Sequence, residues 1–308
     1  MCHGPGGNTS IKIDKSIYVK SSGTWLKDSL KEKSFIKIDL NSIKKNIKNE
    51  KKWIFRKSTI HPSIETCMHA VINKKYVVHL HSISVLSYAV LKQGKKILKK
   101  KLKGLEWVWI KYKKPGLNLA LEIKKKMADN INIYILQNHG IIIASNTLYK
   151  INVLLKKIET TLKQKTFFNF KKINVNDFSL KNVLIPNFKE PKNKIIQILA
   201  WNDRFYQIIK DNKSLYPDHT VFLSNKIKTY EKESFFSINN EKKIIVIKNS
   251  GVFIKNNISS AEYDMLLCLA ELLRFIPKNS VLSFLSKKEN NKLINWDKEK
   301  IRQKFNMV

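Results

Sequence analysis

Three histidines carry the strongest chemical signal in this sequence. His79 and His81 lie one residue apart in an apolar run, and His139 follows a second apolar run that begins at Ile133. Alternate residues of a strand point to the same side of a sheet, so His79 and His81 can direct both imidazoles at one point. A third imidazole from a neighbouring strand would complete three protein ligands and leave one position open, as in a catalytic metal site. A histidine in an apolar run is more often a core residue than a ligand, and this alternative stays open here.

Glu65 is the second candidate for chemistry. It falls in the first turn of a helix that the sequence predicts over residues 63–73, directly after Pro62. A carboxylate at this position is stabilised by the helix dipole, so Glu65 is either a structural cap or an acid/base group brought over the metal. His69 lies four residues further on and shares that helix face, and we expect it to pack in the core.

Two glycine-containing loops are candidate anion sites. Residues 4–10 form a glycine-rich loop before a predicted strand, and Ser21, Ser22 and Gly23 form a second loop. Backbone amides in such loops, together with the Asn8 side chain, can hold a phosphate or carboxylate. The alternative is that both loops are tight turns between strands. The glycine spacing does not match the dinucleotide-binding fingerprint, and no predicted helix follows the first loop.

The strong positive charge does not by itself indicate a nucleic-acid-binding protein. The 308 residues include 59 lysines and arginines and carry a formal net charge of +35, but only four of these residues are arginine. Nucleic-acid recognition favours arginine, whose planar group can make two parallel hydrogen bonds. No apolar segment reaches the ~20 residues that a membrane span needs. We therefore predict neither a nucleic-acid partner nor a membrane partner.

The cysteines and the first residues of the chain bear on its compartment. Cys2, Cys67 and Cys268 are an odd number with no close pair, which argues against a disulfide framework and against a zinc site built from cysteines. The start of the sequence lacks the charged and apolar regions of a signal peptide. A cytoplasmic protein is therefore expected.

The order of the predicted elements in residues 1–167 indicates an α/β domain. Short apolar strands alternate there with helical patterns. The apolar stretch at residues 131–143 predicts one strand, and the segment after the His79 strand predicts one helix that runs to Lys101. A further helix is predicted over residues 148–164.

The second half of the chain reads as a smaller unit. Residues 168–194 are interpreted as a linker, and residues 195–308 as a C-terminal α+β region. That region includes a predicted hairpin over residues 242–255. Ser259 and Glu262 predict a capping box at the start of an apolar helix.

Five motifs follow one another at plausible spacings: Gly-Asn-Thr-Ser from Gly7, Ser-Ser-Gly from Ser21, Pro-Ser-Ile-Glu from Pro62, His-Leu-His-Ser from His79 and Gln-Asn-His-Gly from Gln137. As a set they make the chain similar to the class II aldolase/adducin family over residues 4 to about 165. The chain also resembles a longer subgroup, similar to the aldolase half of bifunctional rhamnulose-phosphate aldolase/dehydrogenase proteins. The resemblance implies a three-layer α/β/α class II aldolase-like catalytic domain for residues 1–167, followed by the smaller α+β region.

The resemblance also implies roles for individual residues. A divalent metal ion, zinc or another, would be bound by His79, His81 and His139. Glu65 would be the acid/base residue, with a pKa raised by partial burial, and Tyr112 would help to protonate the aldehyde portion. The substrate's phosphate or carboxylate would be held by Asn8, Ser22, Gly23 and Ser63.

The implied function is a metal-dependent aldolase, an aldehyde-lyase that cleaves a small sugar or sugar phosphate by retro-aldol chemistry through a zinc-stabilised enediolate. An epimerase of a sugar phosphate on the same site and a non-catalytic, adducin-like scaffold stay open as alternatives. Ile64 stands where phosphate-binding relatives often have a second serine, so part of the phosphate site is expected to be missing. The family is typically a homotetramer, and we expect one here. Asp218 and His219 are expected to be structural.

Overall fold

The computed structural model describes residues 4–30, 34–49, 61–168, 185–231 and 242–306. The strands of its larger sheet are β1 (Asn8–Ile13), β2 (Ser16–Lys20), β3 (Phe35–Asp39), β4 (Tyr76–Leu80), β5 (Trp107–Ile110), β6 (Ile133–Leu136) and β7 (Gly140–Ser145). Within the described residues these seven strands are ordered β3-β2-β1-β4-β7-β6-β5. All neighbouring pairs are antiparallel except β5 and β6, which are parallel.

The histidine-bearing strand β4 lies inside the sheet, between β1 and β7. Asn8 of β1 is opposite His79 on one side, and Ile142 of β7 is opposite it on the other. Side chains alternate between the two faces, so Ile141 of β7 packs on one face while Ile142 packs on the other. Because both faces are covered, β6 and β7 are apolar throughout and give no alternating pattern in the sequence.

Helices cover both faces of the sheet and produce three layers. One face is covered by α1 (Leu40–Lys48), α2 (Thr66–Val71) and α5 (Leu117–Lys126). The opposite face is covered by α3 (Ile83–Ala89), α4 (Gly94–Lys101) and α6 (Leu148–Leu162). In α4, Leu98 is fully buried while the lysines on either side of it are exposed, so the lysine-rich run is a solvated helix face.

The C-terminal region adds a second sheet and six more helices among the described residues. The strands are β8 (Phe188–Lys189), β9 (Ile227–Tyr230), β10 (Ile244–Ile247) and β11 (Gly251–Lys255), in the order β8-β11-β10-β9. The helices are α7 (Ile198–Trp201), α8 (Asp203–Lys210), α9 (Pro217–Leu223), α10 (Ser260–Arg274), α11 (Lys287–Ile294) and α12 (Asp297–Lys304). In the part of the chain that the structure describes, no helix combines the length and apolarity needed to cross a membrane.

The C-terminal region shares a hydrophobic core with the first domain. Leu86 of α3, together with Val90 and Leu91 just after that helix, packs in one cluster with residues of α9 and α10. The backbone N–H of Ser283 also donates to the carbonyl of Val90 at 2.7 Å. This packing brings the ends of the C-terminal helices close to the strand ends that carry the histidines.

The predicted α/β class and its three layers are confirmed, whereas two predicted elements differ. The stretch at residues 131–143 is not one strand but the β6–β7 hairpin, because Asn138 adopts a left-handed backbone conformation (φ 53°) and turns the chain. The helix predicted to run to Lys101 is two helices, α3 and α4. The boundaries placed at residues 167 and 194 stay a prediction, since residues 169–184 lie outside the described residues and β8 falls within the proposed linker.

Candidate active site

His79 and His81 meet at the end of β4. Their Nε2 atoms are 3.0 Å apart. His79 is completely buried, and its Nδ1 lies 3.0 Å from the carbonyl oxygen of Ile141. A carbonyl only accepts, so His79 donates from Nδ1 and its Nε2 carries a free lone pair. The alternation that the sequence predicted for these two residues therefore directs their ligand atoms at one point.

His139 joins them from the turn between β6 and β7. Its ring centroid is 4.9 Å from that of His79 and 5.1 Å from that of His81. The following residue, Gly140, lies so close to β4 that a Cβ there would be 2.4 Å from the carbonyl oxygen of Leu80. Only glycine permits this approach, which draws the turn against the strand end. One nitrogen from each imidazole lies within 4.8 Å of the others, so the three could hold a metal ion.

Glu65 lies over the three imidazoles at the start of α2. Its Oε2 is 3.4 Å from Nε2 of His79, and its Oε1 is 3.4 Å from Nε2 of His139. The Asn8 side-chain amide donates to Oε2 at 2.8 Å, whereas Oε1 accepts no hydrogen bond within the described part of the chain. The backbone N–H of Glu65 donates to Ser63 Oγ at 3.2 Å, which fixes the start of the helix.

The protonation states of this group suit metal binding. Burial lowers the pKa of His79 and lowers that of His139 to about 3, so both imidazoles are neutral near pH 7. Burial alone raises the pKa of Glu65, but His79, His139 and the Asn8 amide lower it to about 2. The raised pKa expected from the sequence is therefore wrong. A buried carboxylate beside His79, His81 and His139 fits a divalent cation, and Glu65 Oε1 accepts no hydrogen bond from the described residues.

The four predicted substrate-binding residues line the pocket that opens beside His81 and His139: Asn8, Ser22, Gly23 and Ser63. Their surroundings differ. Asn8 is engaged by Glu65 on one side and by His69 Nε2 on the other. Gly23 is packed against Phe305, whose Cβ would be 2.8 Å from a Cβ added at position 23. Any side chain there would collide with the C-terminal region.

The structure does not bring Tyr112 into the pocket. Its hydroxyl is buried and has no hydrogen-bond partner among the described residues, and the side chain packs at the edge of the core that the C-terminal region shares with α3. Burial, together with Glu289 and Glu299, raises the pKa of Tyr112 above its usual range. A hydroxyl placed there does not line the pocket in which Glu65, His81 and His139 meet.

Four pocket residues were missed by the sequence analysis: Lys20, Asp218, Glu299 and Arg302. Lys20 ends β2, is buried, and donates to the carbonyl oxygens of Ser21 (3.3 Å) and Thr24. The other three come from α9 and α12. Asp218, which was expected to be structural, lies with its Oδ2 3.0 Å from His81 Nδ1 and its Oδ1 2.7 Å from Arg302 Nη2.

The pocket thus has two sides. We name Asn8, Glu65, His81 and His139, together with the fully buried His79 beside them, the N-terminal wall, and Asp218, Glu299 and Arg302 the C-terminal wall. Arg302 lies between the two carboxylates and is 3.1 Å from Glu299 Oε2. Burial alone raises the pKa of Asp218, but Arg302 and His81 outweigh it and hold this pKa well below its usual range. Asp218 is therefore ionised inside the protein.

The first half of the chain matches a known protein family. The family model described as "Class II Aldolase and Adducin N-terminal domain" matches residues 1–166. The chain belongs to the class II aldolase and adducin family. This match ends before the C-terminal wall, so that wall lies outside the part of the chain that defines the family. Class II aldolases are typically dependent on a divalent metal, and His79, His81 and His139 could hold one here.

A curated relative and several solved structures are similar to this class II aldolase domain. The Bacillus subtilis (strain 168) protein named "Uncharacterized oxidoreductase YuxG" is 27% identical over 164 residues, which are 46% of this chain and 24% of the relative. The match therefore spans about a quarter of that relative's length.

Two solved structures are similar to part of this chain at low identity. The N-terminal class II aldolase domain of a conserved Thermoplasma acidophilum protein is 23% identical, with a TM-score of 0.44, over 52% of this chain and 84% of that one. Escherichia coli YgbL, a putative aldolase/epimerase/decarboxylase, is 20% identical, with a TM-score of 0.39, over 52% of this chain and 78% of that one.

Proposed function

We propose that this protein is a divalent-metal-dependent aldolase, an aldehyde-lyase that cleaves a small sugar or sugar phosphate by retro-aldol chemistry. One observation carries the proposal: the Nε2 atoms of His79 and His139 each lie 3.4 Å from a different oxygen of the buried Glu65 carboxylate. A purely structural role would not require three imidazoles and a carboxylate to converge beside an open pocket.

The metal-binding groups are His79, His81 and His139, and zinc is the proposed ion. Three imidazoles with a further position open to substrate suit zinc in its catalytic coordination. A divalent metal held there supplies a Lewis acid that draws electron density from substrate oxygens.

Glu65 is the proposed acid/base residue. When the carbon–carbon bond breaks, the substrate hydroxyl that becomes the aldehyde gives up its proton, and the carbon that keeps the bonding electrons must gain one. Glu65 Oε1 accepts no hydrogen bond from the residues that the structure describes, whereas Asn8 donates to Oε2 at 2.8 Å. One oxygen is thus fixed and the other is free to receive and return that proton. We assign no catalytic role to Tyr112, because its hydroxyl does not line the pocket.

The substrate's polar groups are proposed to bind at Ser22, Gly23 and Ser63, next to the Lys20 side chain. The amino group of Lys20 gives this end of the pocket a positive charge, which favours an anionic substituent such as a phosphate or a carboxylate. Asn8 is less suited to this task than the sequence suggested, because both ends of its amide are already engaged. A homotetramer is the proposed assembly and can be checked by light scattering after size exclusion.

The first experiment measures metal content per chain by mass spectrometry. Wild type, supplied with zinc, is expected to hold about one ion, and His79→Ala to hold none. His219→Asn is the matched control, since His219 is also buried but accepts a hydrogen bond from the Leu215 N–H at 3.3 Å and is not one of the three ligands. A folded wild type without metal would overturn the proposal in favour of an adducin-like scaffold.

The second experiment identifies the reaction. Small sugars and sugar phosphates are incubated with the zinc-loaded protein, and products are separated by chromatography. A released aldehyde that disappears in Glu65→Gln supports the lyase. An inverted stereocentre with no net aldehyde would instead assign an epimerase to the same site.

A further inference from the structure

The three proposed metal ligands differ in the group that contacts the Nδ1 atom of the imidazole. His79 donates from Nδ1 to the backbone carbonyl of Ile141 at 3.0 Å. The Nδ1 atom of His139 has no hydrogen-bond partner among the described residues. His81 faces a carboxylate, with its Nδ1 3.0 Å from Asp218 Oδ2, although the pair does not form a well-aligned hydrogen bond. In the described part of the chain, His81 is therefore the one ligand histidine with an acidic side chain at Nδ1.

Asp218 is itself held by the C-terminal region. Its Oδ1 lies 2.7 Å from Arg302 Nη2, and Arg302 Nη1 lies 3.1 Å from Glu299 Oε2. Asp218 and Arg302 are both buried, at 1% and 7% exposure. The region is also tied to the turn that carries His139, because the Asn138 side-chain amide donates to the carbonyl oxygens of Leu215 (2.9 Å) and Ser283 (2.7 Å).

We propose that Asp218 is a positioning residue of the metal site: it holds His81 through Nδ1 so that Nε2 presents its lone pair to the metal, and Arg302 holds Asp218 in turn. The proposal rests on the metal-binding function proposed above. It gives the C-terminal region a function, since residues beyond the family match complete the site within one chain. A carboxylate behind a ligand imidazole fixes its tautomer and raises its basicity.

The variant Asp218→Asn, which replaces the carboxylate by an amide of similar size, distinguishes the positioning of His81 from a role in packing alone. Asp218 offers one oxygen to Arg302 and one to His81, and both partners are donors. Asn has a single oxygen, which Arg302 takes because a guanidinium cannot accept. The Asn –NH₂ group then faces His81 Nδ1, which favours the tautomer that is protonated at Nε2 and removes the lone pair from the metal.

The experiment compares zinc affinity, by chelator competition, in wild type, Asp218→Asn, Arg302→Gln and Asp211→Asn. We expect Asp218→Asn to bind zinc about 10- to 100-fold more weakly. Arg302→Gln keeps a donor for Asp218 but removes the cation, so it is expected to bind zinc more weakly than wild type and more tightly than Asp218→Asn. Asp211→Asn is the matched control, because Asp211 is paired with Lys213 at the surface, and it is expected to match wild type.

Nitrogen NMR of labelled histidines provides a second readout in the unaltered protein, with and without zinc. His81 is expected to be protonated at Nδ1 in wild type and at Nε2 in Asp218→Asn. Protonation at Nε2 in wild type would overturn the proposal even if Asp218→Asn did not fold. Unchanged zinc affinity and tautomer in a folded Asp218→Asn would also overturn it, while leaving the metal enzyme intact. A wild type without zinc would instead contradict the proposed function, and its His81 tautomer would still test the contact with Asp218.

Discussion

The N-terminal wall and the C-terminal wall of the pocket hold their polar side chains in different ways. His79 lies on a strand that is hydrogen-bonded on both sides, and its imidazole is held by a backbone carbonyl. Asp218 and Arg302 lie on the short helices α9 and α12 and are held by each other. The first arrangement depends on the sheet, and the second depends on a balanced group of buried charges.

Because of this difference, we expect variants of the two walls to affect activity and stability to different extents. A change in the N-terminal wall that preserves size leaves the sheet intact, so it should alter activity more than folding. A change in the C-terminal wall leaves a buried charge without its partner, so it should alter folding first. Activity measurements should therefore show the larger losses for variants of the N-terminal wall, and stability measurements should show the larger losses for variants of the C-terminal wall.

Glu65→Gln is expected to have the largest effect on activity. The amide keeps an oxygen for the Asn8 donor but cannot take up a proton, so kcat should fall about 10²- to 10⁴-fold. Zinc content should stay near that of wild type, because the three imidazoles are unchanged. Steady-state kinetics with the substrate found in the screen, beside metal analysis, makes this measurement.

Glu106→Gln is the control for that variant. Glu106 is exposed and accepts a hydrogen bond from Asn130 at 3.1 Å, so its replacement should change neither kcat nor zinc content. A Glu65→Gln protein with nearly wild-type kcat would contradict the acid/base assignment and leave the metal site standing.

Arg302→Met is expected to have the largest effect on stability. It removes the cation between Asp218 and Glu299 and leaves buried carboxylates unpaired, at a cost of about 3–5 kcal/mol in the free energy of unfolding. Urea unfolding at pH 7 measures it. Arg274→Met is the matched control, because Arg274 pairs with Glu271 on the partly exposed side of α10 and should cost about 0–1 kcal/mol.

The difference in the free energy of unfolding between Arg302→Met and wild type should become smaller as the pH falls. In wild type the pKa of Asp218 is held below its usual range, so this stabilisation is present above the usual carboxyl pKa and is lost as the pH falls towards the folded-state pKa. In the variant, burial without Arg302 raises that pKa, and protonation relieves the unpaired charge. An equal loss of stability at every pH would show that Arg302 acts by packing alone.

The sequence predicted the N-terminal wall because its signals are local. The spacing of His79 and His81 on a strand places both side chains on one face, and Ser259 with Glu262 predicted a capping box that the structure confirms. The position of His139 was harder to predict, because β6 and β7 are uniformly apolar and the sequence therefore reads as one continuous strand. The glycine at position 140 and Asn138 are the local signals that mark it.

The C-terminal wall could not be predicted in the same way. Asp218 and His81 are 137 residues apart along the chain, and their contact depends on how α9 and α12 pack on the first domain. No local pattern encodes that packing. Burial of Lys20 was equally hidden, since one lysine among so many carries no signal. The scarcity of arginine was the one available hint, because Arg302 is one of only four.

His69→Phe should have an intermediate effect on activity, and it should also lower stability. His69 Nδ1 lies 2.8 Å from Ser10 Oγ, and its Nε2 donates to Asn8 Oδ1, so it orients the amide that in turn donates to Glu65. Phenylalanine leaves Asn8 Oδ1 buried without a donor, which costs about 1–3 kcal/mol. We expect kcat to fall about tenfold.

Ser10→Ala is the control for the His69 variant. It removes the hydrogen bond on the far side of the imidazole and leaves the His69–Asn8 contact in place. Activity close to wild type in Ser10→Ala and reduced in His69→Phe would support orientation of Asn8. Equal activity in the two variants would return His69 to the packing role that the sequence suggested.

Ser286→Ala is expected to have the smallest effect. Ser286 caps α11: its Oγ accepts from the Glu289 N–H at 3.2 Å, and its own N–H donates to Glu289 Oε2 at 2.7 Å. Helix α11 supports α9, where Thr220 donates to Asn290 at 2.8 Å. Loss of the cap should cost about 1 kcal/mol in unfolding free energy, while zinc affinity and kcat stay within about twofold. Asp218 and Arg302 are held by each other and not by the cap of α11. Loss of that cap should therefore leave the position of His81 unchanged. A tenfold loss of zinc affinity in Ser286→Ala would show instead that the helix ends, and not the Asp218–Arg302 pair, determine the geometry of this wall.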